Sequence, residues 1–122
     1  STYGGNPLAC SVGSKVLEIV NTTDFLNSVT AKSGVISQGI LGLIDLYPDV
    51  FQEIRGTGLM LGIKCKCPNV DFVQKGYENG ILTVPASDNV IRLLPALNIT
   101  YEEINQALTR LEQTAKSLQK TL

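Results

Sequence analysis

Leu8, Ala9, Val12, Val16, Ile19 and Val20 recur at three- and four-residue spacing, a pattern that predicts an amphipathic helix from Asn6 to about Val20. Thr22-Thr23-Asp24 then supplies turn and capping groups. A longer helix is predicted over residues 24–47, with Leu26, Val29, Ile36, Ile40, Leu43 and Tyr47 as its buried stripe and Pro48 as its stop. Phe51 to Arg55 and Leu59 to Cys65 read as a strand pair joined through Gly56-Thr57-Gly58. A short helix is expected from Asn69 or Val70 to Asn79, closed by Gly80. Ile81 to Val84 and Val90 to Leu94 read as two further strands separated by a polar turn at Ser87-Asp88-Asn89. Thr100-Tyr101-Glu102-Glu103 matches a capping box, with Ile99 and Ile104 placed for the hydrophobic staple. Ile104, Ala107, Leu108, Leu111, Ala115 and Leu118 carry that last helix to about residue 118.

Helices and short strands in this order lack a regular βαβ alternation. The expected class is α+β, a small antiparallel sheet covered by helices, with a core joining the second helix, the strands and the last helix. The first helix is expected to stand outside the compact part, which divides the chain into residues 1–22 and 23–122.

Charge and length narrow the function. A chain of 122 residues with a net charge of −1 supports one modest core and carries no polycationic footprint for nucleic acid. No apolar run approaches 18 residues and no charged start precedes an apolar stretch, so a cytoplasmic protein is expected rather than a membrane or secreted one. The absence of histidine removes Ser-His-Asp and Cys-His catalysis and argues against zinc. Cys10, Cys65 and Cys67 are odd in number and lack metal-finger spacing. Cys65-Lys66-Cys67 invites a redox reading, but the two thiols are expected on opposite faces of a strand, as reduced structural cysteines. The seven lysines read as solvated surface charge, since none sits in an apolar setting that would lower its pKa.

The candidate chemistry lies at the chain start and in the fourth strand. Ser1 and Thr2 bring hydroxyls, Gly4-Gly5 lets the backbone turn, and Asn6-Pro7 starts a helix. Such a loop suits a phosphate or another anion and reads as part of something longer. Arg92 shares a strand face with Val90 and Leu94 among apolar neighbours. It needs an anionic partner or an exit to water, because it cannot shed its proton. Its fork suits a carboxylate; a snorkelling head or a structural pair with Asp88 are the alternatives. Arg55, beside the Gly56-Thr57-Gly58 turn, reads as a structural ion pair, and that Gly-x-Gly is not a dinucleotide signature.

Three stretches carry a resemblance. Ser1-Thr2-Tyr3-Gly4-Gly5-Asn6-Pro7-Leu8-Ala9, then Ile54-Arg55-Gly56-Thr57-Gly58-Leu59-Met60-Leu61-Gly62, then Leu82-Thr83-Val84-Pro85-Ala86 with Asn89-Val90-Ile91-Arg92-Leu93-Leu94-Pro95 resemble, in the right order, motifs of the class III aminotransferases, in particular their acetylornithine-type branch. Ala96 departs from the pattern, where a second proline is common. The resemblance implies the C-terminal small domain of a fold-type I transferase dependent on pyridoxal 5'-phosphate. The implied reaction moves an amino group between N-acetylornithine and 2-oxoglutarate in arginine biosynthesis. It further implies that Thr2 binds the cofactor phosphate in the neighbouring subunit of a homodimer, that Ser1 contacts substrate, and that Arg92 receives the substrate α-carboxylate. The lysine that holds the cofactor lies upstream of the first motif in this family, so the chain by itself is expected to be inactive. Ornithine, succinylornithine or 4-aminobutyrate as donor are the alternatives within the family. Outside it, the rival is a non-catalytic module offering the stripe of residues 26–47 to a partner.

Overall fold

The computed structural model describes residues 4–119. Its elements run α1 (Pro7–Val20), α2 (Thr23–Leu46), β1 (Phe51–Thr57), β2 (Met60–Cys65), α3 (Asn69–Glu78), β3 (Val84–Ala86), β4 (Val90–Leu93) and α4 (Tyr101–Gln119). The strands form one antiparallel sheet in the order β1-β2-β4-β3. The α+β expectation holds.

Alternation along β2 decides which face is covered. Leu61, Ile63 and Cys65 are buried, whereas Met60 is exposed and Gly62 and Lys64 are half-buried. The inner face meets Ile36, Ile40 and Leu43 of α2, Phe72 and Val73 of α3, and Ile104, Leu111 and Ala115 of α4 in one core. α2 packs on β1 and α4, while α3 packs on α4, β3 and β4. Among the described residues, no helix covers the outer face. The stripe of α2 is therefore spent on the core from Ile36 to Tyr47, which takes away the surface that the interaction-module reading required. One turn of that stripe differs from expectation: Leu26 is exposed, and Phe25 is the half-buried residue there.

Local signals set the helix ends. Asn6 Oδ1 accepts from the Ala9 N–H at 3.1 Å and caps α1. In the capping box ahead of α4, Glu103 accepts from the Thr100 N–H at 2.7 Å and Thr100 Oγ1 accepts from the Glu103 N–H at 3.2 Å. The third strand departs from its expected span. It begins at Val84 rather than Ile81, because the Ile81 N–H closes α3 by donating to the Gly76 carbonyl at 2.9 Å. A donor used in a helix cap is lost to the sheet. None of the residues of α1 is buried, and its main contact is with α2.

Candidate functional site on the open face of the sheet

Register aligns the polar residues of the outer face. Arg55 of β1 lies opposite Gly62 of β2, Gly62 lies opposite Arg92 of β4, and Arg92 lies opposite Val84 of β3. Glu53, Lys64 and Val90 form the neighbouring row. Gly62 places no side chain between the two arginines. A Cβ there would come within 2.9 Å of Val90 Cγ1, so Val90 leans over the glycine.

The two arginines differ in their partners. Arg55 Nε donates to Glu53 at 2.6 Å, and its Nη1 donates to Asp88 at 2.7 Å. Lys64 Nζ donates to the other Asp88 oxygen at 2.8 Å. Arg55 is thus the structural ion-pair residue expected, and Lys64 is a partly buried member of the same network rather than free surface charge. Asp88, the structural alternative for Arg92, is already occupied by these two. Arg92 is exposed and forms no hydrogen bond or ion pair among the described residues. A guanidinium left open on a sheet face is a ready receptor for a carboxylate.

The turn that delivers β4 is unusually well tied. Asp88 and Asn89 both have left-handed backbones, at φ 59° and 56°, a conformation that Asp and Asn tolerate better than other side chains. Asn89 Nδ2 donates to the carbonyls of Cys65 and Cys67 at 2.7 and 2.9 Å, and its Oδ1 accepts from the Asn69 N–H at 2.8 Å. Asn69 Nδ2 in turn donates to the carbonyls of Ala86 and Val90, both at 2.9 Å. These bonds fix the start of β4 and so the placement of Arg92 two residues on. The role of Asn69 and Asn89 went unread in the sequence. The signal available was the pair of adjacent turn formers at 88 and 89.

Hydrogen bonds from Lys64, then from Arg55, hold the Asp88 carboxyl below its ordinary value. A depressed carboxylate contributes stability that is present above its unfolded pKa and is lost as pH falls through the folded one. Asp88→Asn keeps the left-handed turn and removes the charge. Its thermal stability should therefore trail wild type at neutral pH, and the two should converge as pH drops below about 4. A gap that stays constant down to acid denaturation would show that the carboxylate charge contributes nothing.

The cysteines require a correction. Cys65 and Cys67 are both buried on the core side, not on opposite faces. A strand repeats every two residues, so positions i and i+2 share a face; here β2 ends at Cys65 and the chain bends at residues 66 and 67.

Ser1 and Thr2 lie outside the described residues, so the expectations attached to them have no geometry here. Among the described residues, no helix is long and apolar enough to cross a membrane.

Comparison with known proteins matches this architecture to one family. The profile described as "Aminotransferase class-III" matches residues 1–115. Acetylornithine aminotransferase from Rhodobacter capsulatus is 50% identical over 119 residues, which is 98% of this chain and 30% of that protein. The protein of the same name from Agrobacterium fabrum is 50% identical over 118 residues, 97% of this chain and 30% of its own length. Among solved structures, N-acetylornithine aminotransferase from Stenotrophomonas maltophilia superposes with a TM-score of 0.89 at 30% identity, covering 98% of this chain and 34% of that one. An ornithine aminotransferase from Toxoplasma gondii ME49 superposes with a TM-score of 0.87 at 30% identity, over 100% of this chain and 30% of that one. The chain thus spans about 30% of the length of the curated relatives it matches. With the profile running across nearly the whole sequence and the sheet superposing on aminotransferases throughout, the chain belongs to the class III aminotransferases.

Proposed function

We propose that this chain is the C-terminal small-domain portion of a pyridoxal 5'-phosphate-dependent transaminase acting between N-acetylornithine and 2-oxoglutarate in arginine biosynthesis. The observation that carries the donor is identity of about 50% to acetylornithine aminotransferases along almost the entire chain. Structural likeness alone does not choose it, since an ornithine aminotransferase superposes nearly as well. The geometry that supports a substrate role is the open guanidinium of Arg92 on the outer face of the sheet.

The residues present fit one side of such a site. Asn6 uses its side chain on the Ala9 N–H, so an anion at this end would rest on Ser1, Thr2 and the glycine turn rather than on Asn6. Thr2 is assigned to the cofactor phosphate in the neighbouring subunit of a homodimer, and Ser1 to a substrate contact. Residues 1–22 form the phosphate loop and interdomain helix, and residues 23–122 the small domain of a cytoplasmic enzyme. When bound, the cofactor supplies the electron sink for moving the amino group.

Arg92 has a positioning task. Its planar fork grips both oxygens of the substrate α-carboxylate and fixes the angle at which the α-carbon is presented. Arg55, Lys64 and Asp88 balance their charges among themselves, so they do not compete for that carboxylate. The test is the full reading frame expressed with pyridoxal phosphate and assayed with N-acetylornithine, succinylornithine, ornithine and 4-aminobutyrate against 2-oxoglutarate. N-acetylornithine should give the highest kcat/KM. A higher value for another donor would transfer the assignment to that branch, and no cofactor-dependent transfer with any of them would overturn it.

A further inference from the structure

We propose, on the reading of Arg92 as receptor for the substrate α-carboxylate, that Asn69 and Asn89 are positioning residues for that recognition. Their part is indirect. They hold the backbone from which the guanidinium projects, and so set how squarely its fork meets the carboxylate.

β4 needs such help. It has four residues, and β3, its neighbour at the edge of the sheet, has three. Pro85 at the centre of β3 stands opposite Ile91 and has no N–H to give to the ladder. The turn between the two strands carries consecutive left-handed residues, Asp88 and Asn89. A hairpin this short is weakly held by its own backbone. Arg92 itself is exposed and has no side-chain partner among the described residues to steady it.

The two asparagines supply the restraint from different directions. Ala86 and Val90 are the register partners that flank the turn, and Asn69 Nδ2 donates to both of their carbonyls. One amide from the start of α3 thus spans the mouth of the hairpin. Asn89 ties the same hairpin to β2: its main-chain carbonyl accepts from the Cys65 N–H at 2.9 Å, while its side chain donates to the carbonyls of Cys65 and Cys67. The pair is also joined to itself. Pro68 brings no capping side chain to α3, and the Asn69 N–H is taken by Asn89 Oδ1 instead. Both asparagines are half-buried, so water is a poor substitute for the bonds they make. β2 and α3 therefore jointly fix Val90, two positions before Arg92.

An amide is required at position 69. Asn69→Asp keeps the shape but turns an oxygen toward the Ala86 and Val90 carbonyls. Asn89→Gly keeps the left-handed backbone and removes the amide.

The test is a double-mutant cycle in the full-length transaminase loaded with pyridoxal phosphate. Asn69→Asp and Arg92→Lys are made separately and together, with rates expressed per bound cofactor so that unfolded protein does not count. Asn69→Asp alone should lower kcat/KM about tenfold for N-acetylornithine and for 2-oxoglutarate alike, chiefly through KM. In the Arg92→Lys background the same change should cost less than about twofold, because the fork whose aim it spoils is already gone. Asn89→Gly should repeat the pattern, and it carries the cycle if Asn69→Asp yields no cofactor-bound enzyme. Amide exchange gives a readout independent of turnover: Val90 and Arg92 should exchange faster in the variants, while Ile40 and Leu111 keep wild-type protection. Equal fold losses in both backgrounds, or a lowered melting temperature with KM unchanged, would show that the asparagines support the fold without aiming Arg92, and would overturn the proposal. Wild-type kinetics in Arg92→Lys would overturn the reading of Arg92 itself, and the positioning role with it.

Discussion

Arg92→Lys in the full-length transaminase should lower kcat/KM for the amino donor and for the 2-oxo acid together, each by about 2–4 kcal/mol in transition-state stabilisation. Lysine preserves the charge but not the fork, so one oxygen of the carboxylate loses its partner and the substrate gains a rotation that the site must otherwise prevent. In the proposed role the two substrates would present the same group in successive half-reactions, so one residue would govern both. Melting temperature should scarcely move, because Arg92 is exposed and no partner for it is found among the described residues. A structural arginine would give the reverse result, with stability lost and kinetics of the folded fraction intact. Measuring both half-reactions and the melting curve on one preparation decides between them.

Gly56→Ala should be the most damaging small substitution in the chain. Gly56 has φ 118°, and a Cβ there would overlap the carbonyl oxygen of Met60 and come within 3.1 Å of Leu61 Cα. These are main-chain atoms of the paired strand, with no flexible side chain to give way. Strain and clash together should cost about 3 kcal/mol or more, which for a domain of this size lowers the melting temperature by more than about 10 °C. Gly58→Ala is the matched control. Gly58 is also left-handed, at φ 59°, but a Cβ there meets nothing within 4 Å, so a loss of about 1 kcal/mol is expected. Equal effects at the two positions would show that conformation alone, rather than the approach of β2, sets the cost.

Elements with a complete local signal were legible in the sequence. α4 carries its own start, a reciprocal cap, and an apolar stripe whose members do reach the core. The third strand was misplaced because Ile81 is apolar and β-branched and looks like a strand residue. Its N–H is already committed to the end of α3, and such a commitment is a property of three-dimensional closure. The cysteine pair was misread through the strand period itself, since residues two apart share a face. At the site, Arg92 was legible as an arginine without an obvious local partner. Its freedom was not, because it depends on Asp88 choosing Arg55 and Lys64 from two other strands. Asn89 was invisible for a similar reason: what it does is hold carbonyls more than twenty residues earlier in the chain.

α1 has no buried residue along its 14 positions, and this gives the molecule two clocks. A helix of that length held only by its contact with α2 is marginal in water, so its amide hydrogens should exchange through fraying, without waiting for the sheet to open. The amides of Ile63, Ile91 and Leu111, each at most 1% exposed, are released only when the sheet and its helices come apart cooperatively. Ellipticity recorded during heating will therefore begin to fall before the main transition, and the early slope will report the first helix alone.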